Sequence, residues 1–374
     1  MLSKCAISLL CLIAIAAFHH PQVIAVDEER YLGAFFYPSY GRNYGWNASG
    51  YDPPMTWASH YLPDLMSAGF NPSIQLYDSG DEEIIGRQIS LMKRATLDFV
   101  IASWRGYGSY EDETLKKIFK VIGKNSSLKT PKWCILYEKE KLGDPSLNEI
   151  LDDLQYIGEE FGNSEAYFRL NGKFVIFVMA DQDDGIAYAE KWKEARDRMH
   201  NFYVLLKVFP GFIHVKEYAD SWFQYAPSNR FECHEGFAAY ASPGYWEYDD
   251  EPRLERDPSE FAKALMRLYY APVKFLLIET WNNWLEGSQV EPAYQVVSRG
   301  DRYVQASISY GTTYIDLIRK ILREEESLTL RLPTFHLILG AASSLIAGIL
   351  IIASIVKIFM SEKVGPHGSR INDS

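Results

Sequence analysis

Cysteine is scarce: the chain has four in 374 residues. So few exclude a small scaffold stapled by disulfides. Positive charge is also short, with 38 Lys and Arg against 49 Asp and Glu and a formal net charge of −11. That balance repels a polyphosphate backbone, so nucleic acid is not an expected partner. Several motifs are missing as well. There is no GxxxxGK[ST] phosphate loop, no GxSxG elbow and no HExxH, and Gly106 and Gly108 lack the third glycine of a dinucleotide fingerprint. His60, His200, His214 and His234 have no metal-ligand spacing. No metal or cofactor is expected.

What is present is a large apolar and aromatic content. Hydrophobic residues make up 47% of the chain and aromatics 14%, which excludes disordered and low-complexity classes. The length allows one large α/β barrel with flanking segments. Residues 1–26 carry Lys4, an apolar run from Ala6 to Phe18 and a small residue at Ala25, the pattern of a secretory signal. Leu337 to Val356 is an uncharged run long enough, at about 1.5 Å per residue, to span a hydrocarbon core of ~30 Å. The expected organisation is a signal at 1–26, an outward-facing domain at 27–330, a single transmembrane segment at 331–357 and a cytoplasmic tail at 358–374. Cationic residues flank the span almost equally, so the signal decides the orientation. Cys134 and Cys233 remain in the outer domain, where the compartment permits a disulfide without specifying it. Asn47 and Asn125 open two glycosylation sequons.

Between Tyr31 and Ile321 short β-rich runs alternate with helical periodicity, the pattern of parallel strands with crossover helices. Expected strands are Tyr31–Tyr37, Ser73–Tyr77, Asp98–Trp104, Lys132–Tyr137, Phe174–Ala180, Phe202–Val208, one between Trp222 and Ala241, and Val273–Glu279. Helices are expected at Asp81–Ala95, Asp112–Ile122, Leu147–Phe161, Asp184–Met199, Pro258–Tyr270 and Asp301–Leu322. Asn171-Gly172 signals a type I′ hairpin. Eight strands without a linker give a (β/α)8 barrel as the expected fold; an open doubly wound sheet is the alternative.

Barrel active sites form where strands end, so those positions carry the functional reading. They read Tyr37-Pro38-Ser39-Tyr40-Gly41, Tyr77-Asp78-Ser79, Ser103-Trp104-Arg105-Gly106, Tyr137-Glu138 and Glu279-Thr280-Trp281-Asn282-Asn283-Trp284-Leu285-Glu286-Gly287. Aromatics alternate with carboxyls and amides. Sugars suit this mixture, because their C–H faces stack on rings and their hydroxyls bond to carboxylates and amides. Glycosidic cleavage also needs a carboxylic acid kept protonated near neutral pH by apolar surroundings. Glu286, flanked by Trp284 and Leu285, has the most suitable local sequence. Tyr37, Tyr77, Asp78, Trp104, Glu138, Trp281, Asn282, Asn283 and Trp284 are the candidates to line a sugar site. Each also has a structural reading: the rings could plug the barrel mouth, Asp78 could cap a helix, Glu138 could pair with a cation, and Glu291 could hold its loop.

These strand-end motifs resemble glycoside hydrolase family 99, the endo-α-mannosidase and endo-α-1,2-mannanase family, over most of residues 31–294. Phe36-Tyr37-Pro38-Ser39-Tyr40-Gly41 is similar to its FYPWYG, and Tyr77-Asp78-Ser79-Gly80-Asp81 to its YDSxD. Ser103-Trp104-Arg105-Gly106 is similar to its SWWG, and Trp281 to Pro292 to its FNEWHEGTQIEP. The resemblance implies an α-linked, mannose-containing glycan as substrate and Glu286 as general acid/base. It also implies that a second glutamate should assist the substrate's own 2-hydroxyl, and that position is Asn283. An amide accepts no proton in this way. Ser39, Arg105 and Leu285 are further departures. Three outcomes follow: another carboxylate, with Glu279, Glu138 or Asp78 as candidates, serves as base; the reaction differs; or the site binds glycan without cleaving it.

Overall fold

A computed structural model describes residues 29–41, 60–64, 77–124, 131–247, 251–299 and 302–324. In chain order the elements begin with β1 (Tyr31–Phe36), β2 (Tyr61–Pro63), α1 (Glu82–Arg94), β3 (Phe99–Trp104), α2 (Tyr110–Lys124) and β4 (Lys132–Tyr137). Next come α3 (Lys139–Gly143), α4 (Leu147–Ile157), β5 (Arg169–Leu170), β6 (Lys173–Val178), α5 (Gly185–Arg198), β7 (Phe202–Lys207) and β8 (Ser221–Phe223). The remainder are β9 (Phe231–His234), β10 (Ala238–Ala241), α6 (Pro258–Tyr270), β11 (Phe275–Ile278), β12 (Ala293–Arg299), β13 (Arg302–Ser309) and α7 (Thr313–Arg319).

Eight strands run parallel in the order β8-β7-β6-β4-β3-β1-β11-β10. The ends meet through side chains: the Tyr240 hydroxyl donates to the Ala226 carbonyl at 2.9 Å, and the Ala226 amide donates to Glu279 at 2.9 Å. The result is a barrel-like α/β fold. Two of its strands differ from expectation. β1 pairs directly with β3, so no strand at Ser73–Tyr77 lies between them; residues 73–76 fall outside the described residues. The stretch from Trp222 to Ala241 supplies two barrel strands, β8 and β10, with the antiparallel β9 beside β10. A short strand such as Ser221–Phe223 shows too little alternation to be separated from its loop.

The Asn171-Gly172 turn has φ of 52° and 79°, both positive as type I′ requires, and joins β5 to β6. The expected helix at Asp301–Leu322 is instead strand β13 followed by helix from Thr313, because β12 and β13 form an antiparallel hairpin extended by β2. Gly300-Asp301 between two β-rich runs is the sequence signal for it. Asp81 caps α1 by accepting from the Glu83 and Ile84 amides, and Ser146 with Glu149 forms a capping box on α4. Among the described residues no helix is long and apolar enough to cross a membrane. Leu337–Val356, Asn47, Asn125 and residues 1–26 lie outside them. Cys134, buried, and Cys233, half-buried, are both free thiols.

The barrel is filled by phenylalanine. Phe35 meets Phe177 and Phe223, which meet each other, and Phe99 and Phe177 meet each other and Phe275, with ring centroids 5.0–6.2 Å apart. Gly33 makes room for this layer, since a Cβ there would lie 2.3 Å from the Phe99 ring. Because side chains alternate along a strand, these rings fix which later residues also face inward. Tyr37, Ser103, Met179, Tyr225 and Glu279 follow from Phe35, Phe99, Phe177, Phe223 and Phe275. Tyr203, 6.4 Å from Phe275, makes Leu205 and Lys207 the inward residues of β7. Tyr137 turns outward to Asp153 and Trp192, leaving Leu136 and Glu138 inward on β4 and just beyond it.

Candidate active site

The loop after β11 holds Glu286 in place through its own backbone. The Asn283 amide donates to Thr280 Oγ1 at 2.9 Å, the Glu286 amide to Asn283 Oδ1 at 3.3 Å, and the Trp246 amide to the Glu286 carbonyl at 2.9 Å. Gly287 is needed here: its φ is +59°, and a Cβ would lie 3.0 Å from the Trp246 carbonyl oxygen. Arg256 clamps the same turn, donating to the carbonyls of Gly287 at 3.0 Å and Gln289 at 2.7 Å.

Tyr225 joins the acid to its neighbours. Its hydroxyl donates to Glu286 Oε2 at 2.7 Å, and accepts from the Tyr37 hydroxyl at 2.8 Å and from Asn283 Nδ2 at 3.1 Å. One donor and two acceptor sites are all that a hydroxyl has, so its orientation is fixed. Asn283 is therefore occupied on both ends of its amide: the nitrogen holds Tyr225 and the oxygen holds the Glu286 backbone. Burial pushes the Glu286 carboxyl up to about 7, against the Tyr225 hydrogen bond, which favours the charged form; Glu247 and Glu138 add to the rise and Lys141 opposes it. The Glu286 side chain keeps partial access to solvent.

Glu279 lies beneath this layer with no exposed surface. Its Oε2 accepts from the Ala226 amide and its Oε1 has no partner. Burial pushes its carboxyl well above the usual carboxylate range, against the Ala226 hydrogen bond. Glu138 is also buried and raised by burial, while Arg105 opposes the shift from 3.2 Å. Glu111 lies 3.7 Å from the same guanidinium.

The other candidates are placed around this centre in different ways. Asn282, fully buried, exchanges two hydrogen bonds with the Tyr37 backbone at 2.7 and 2.9 Å and so fastens β1 to the loop of the acid. Tyr77 donates to Glu291 at 2.8 Å and accepts from the Trp284 indole at 3.0 Å. Gln88 donates to Glu291 at 2.5 Å and accepts from the Trp281 indole at 2.7 Å. Glu291 is the anchor of this cluster, and burial raises its carboxyl to about 8. Trp281 and Trp284 have 0% and 2% of their surface exposed, so their rings pack under the loop. Trp104, at 0%, donates its indole to Asp112 at 2.8 Å on the outer side of the sheet. Asp78 is exposed, accepting from the Gly80 amide and the Tyr110 hydroxyl at 2.8 and 3.0 Å; Asp81, not Asp78, caps α1.

Tyr225 was invisible to motif reading. Its one signal is parity: Phe223 and Tyr225 continue the inward face of a strand only three residues long. Among the described residues no group of His, Cys, Asp and Glu could hold a metal ion.

The family model for glycosyl hydrolase family 99 matches residues 29–197. No curated protein matches the chain. The fold is similar to two solved structures of the family 99 endo-α-mannosidase of Bacteroides thetaiotaomicron, one in complex with bis-tris propane. For that complex the TM-score is 0.63 at 16% identity, and for the other 0.62 at 17%. Each likeness covers 79% of this chain and 97% of the bacterial one. At such identity the likeness is one of fold.

Proposed function

Because the chain belongs to glycoside hydrolase family 99 or to its family 99-like relatives, we propose that it is a glycosidase acting on an α-linked, mannose-containing glycan, with Glu286 as general acid/base. One observation carries this reading. Glu286 is a carboxyl with partial solvent access, set by its surroundings near pH 7 and oriented by Tyr225. A general acid works best when its pKa lies near the working pH. Protonated, Glu286 delivers a proton to the departing glycosidic oxygen; deprotonated, it removes one from the incoming nucleophile.

Asn283 replaces a carboxylate with an amide that organises Tyr225 and the Glu286 backbone. Glu138, inward at the end of β4 and held by Arg105 at 3.2 Å, is the proposed second carboxyl. Glu279 lies sealed beneath the acid, its carboxyl pushed up by burial. The silent-site alternative has its own observation, the full hydrogen-bond engagement of Asn283. The enzyme is further proposed to face outward from a membrane through the Leu337–Val356 segment.

Incubation with α-linked manno-oligosaccharides and measurement of new reducing ends tests the reading. The parent should turn over and Glu286→Gln should lose at least ~100-fold. Turnover that survives Glu286→Gln overturns the acid assignment. Binding without turnover, with activity gained only in Asn283→Glu, establishes the silent site instead.

A further inference from the structure

Arg256 reaches the site from outside the barrel strands. It stands one residue before Asp257, whose side chain caps α6 by accepting from the Ser259 and Glu260 amides, so its backbone is fixed by the start of that helix. The loop after β10 packs against it: a Cβ on Gly244 would lie 3.1–3.3 Å from the Arg256 Cβ, Cα and amide nitrogen. From this mount the half-buried side chain extends to the turn of the acid, where a single nitrogen, Nη2, donates to the carbonyls of both Gly287 and Gln289.

The rest of the guanidinium has a different environment. Nε and Nη1 are sealed from solvent and make no hydrogen bond, and among the described residues no carboxylate forms an ion pair with Arg256. Three rings stand where acceptors would. The guanidinium carbon lies 4.7 Å from the ring centroid of Tyr61, 4.8 Å from that of Tyr314 and 5.4 Å from that of Tyr310, within the distance over which a ring face attracts a cation. Tyr61 belongs to β2, Tyr310 follows β13 and Tyr314 is on α7. The cage is thus built by the three-stranded sheet of β2, β12 and β13 and by the last helix, none of which belongs to the barrel's own sheet. Tyr61 also meets the turn directly, since a Cβ on Gly287 would lie 3.1 Å from its ring.

We propose that Arg256 is a positioning residue for Glu286: gripped by the three tyrosines, it fixes the two carbonyls that follow the acid and so aims the carboxyl at the departing oxygen. The small sheet then serves as the support of the acid. A guanidinium suits the task because it stacks on rings and donates in its own plane at once. The role rests on the hydrolase reading for what the acid does.

The test follows the Glu286 carboxyl of the full chain by infrared titration, with Glu286→Gln identifying its band, and measures kcat and KM on an α-linked manno-oligosaccharide. Arg256→Met should move the titration from about 7 downward by about one pH unit, as water reaches the loosened turn. It should also lower kcat about tenfold to a hundredfold while KM stays within about threefold. Arg256→Lys restores a donor and a cation, so it should show about half the shift, and it carries the test if Arg256→Met does not fold. Arg230→Met controls for a purely structural loss. Arg230 donates to the carbonyls of Ser242, at 3.0 Å, and Glu255, with no bond to the turn among the described residues, so its loss should lower the Tm without moving the titration. A titration that does not fall in Arg256→Met, or in Arg256→Lys where Arg256→Met does not fold, overturns the positioning role. An equal fall in Arg230→Met overturns it too. The infrared reading needs no turnover: a parent that cuts no glycan, with the fall present in the variants, keeps the positioning role and loses the hydrolase reading. A parent that cuts, with no fall in the variants, does the reverse.

Discussion

At the scale of single residues, the site depends on one hydroxyl placed between a carboxyl and an amide. Tyr225 stabilises the charged form of Glu286, so Tyr225→Phe should move the acid's titration above pH 7 and lower kcat by about tenfold to a hundredfold, as a pH–rate profile would show. Glu286 is legible as a candidate in the sequence because the run from Trp281 to Pro292 is dense in rings and amides and sits at a strand end. Tyr225 is hidden because its strand is three residues long. Burial separated the remaining candidates, which spacing alone could not do. Trp104, Trp281 and Trp284 have the right residue type at the right strand ends, yet their exposures of 0–2% make them packing groups around the site.

At the scale of elements, the turn after β11 is the piece that could not be built from other residues. Gly287→Ala forces a side chain onto a φ of +59° and onto the Trp246 backbone; a loss of about 1–2 kcal/mol in urea unfolding is expected, with the acid displaced and activity reduced. The Tyr77–Glu291–Gln88–Trp281 cluster fastens the same loop to α1 and gives a pH signature. Folded Glu291 holds its proton up to about pH 8, while in the unfolded chain the value is ~4.3. The folded state thus binds the extra proton between these values. The stability drawn from it is fully present below ~4.3 and is lost as pH rises through about 8. The Tm should fall over that interval, and Glu291→Gln, which cannot titrate, should flatten the fall. An unchanged slope in the variant would remove Glu291 from the explanation. The hairpin of β12 and β13 shows where periodicity misleads: the run from Asp301 to Leu322 reads as one helix, whereas its first part is strand β13 and the helix begins only at Thr313.

At the scale of the whole molecule, alternation alone suggested eight parallel strands, and the barrel has eight, though with different members. The expected strand before α1 is not between β1 and β3, and β8 and β10 make up the number. Counting runs gave the architecture because parallel strands buried on both faces are nearly continuous apolar segments; it could not give membership, because short strands carry few residues of pattern. The proposed anchor makes a prediction at this scale as well. Full-length chain expressed in a secretory host should stay with membranes through an alkaline carbonate wash, and a chain ending at Leu330 should be released; release of both would remove the span. The central claim concerns Glu286, and the pH dependence of kcat/KM on an α-linked manno-oligosaccharide tests it most directly. A protonated acid set near 7 predicts a rate that falls about tenfold per pH unit above that value, with no such limb remaining in Glu286→Gln. A rate that holds level through pH 9, or a limb that persists unchanged in Glu286→Gln, would contradict it.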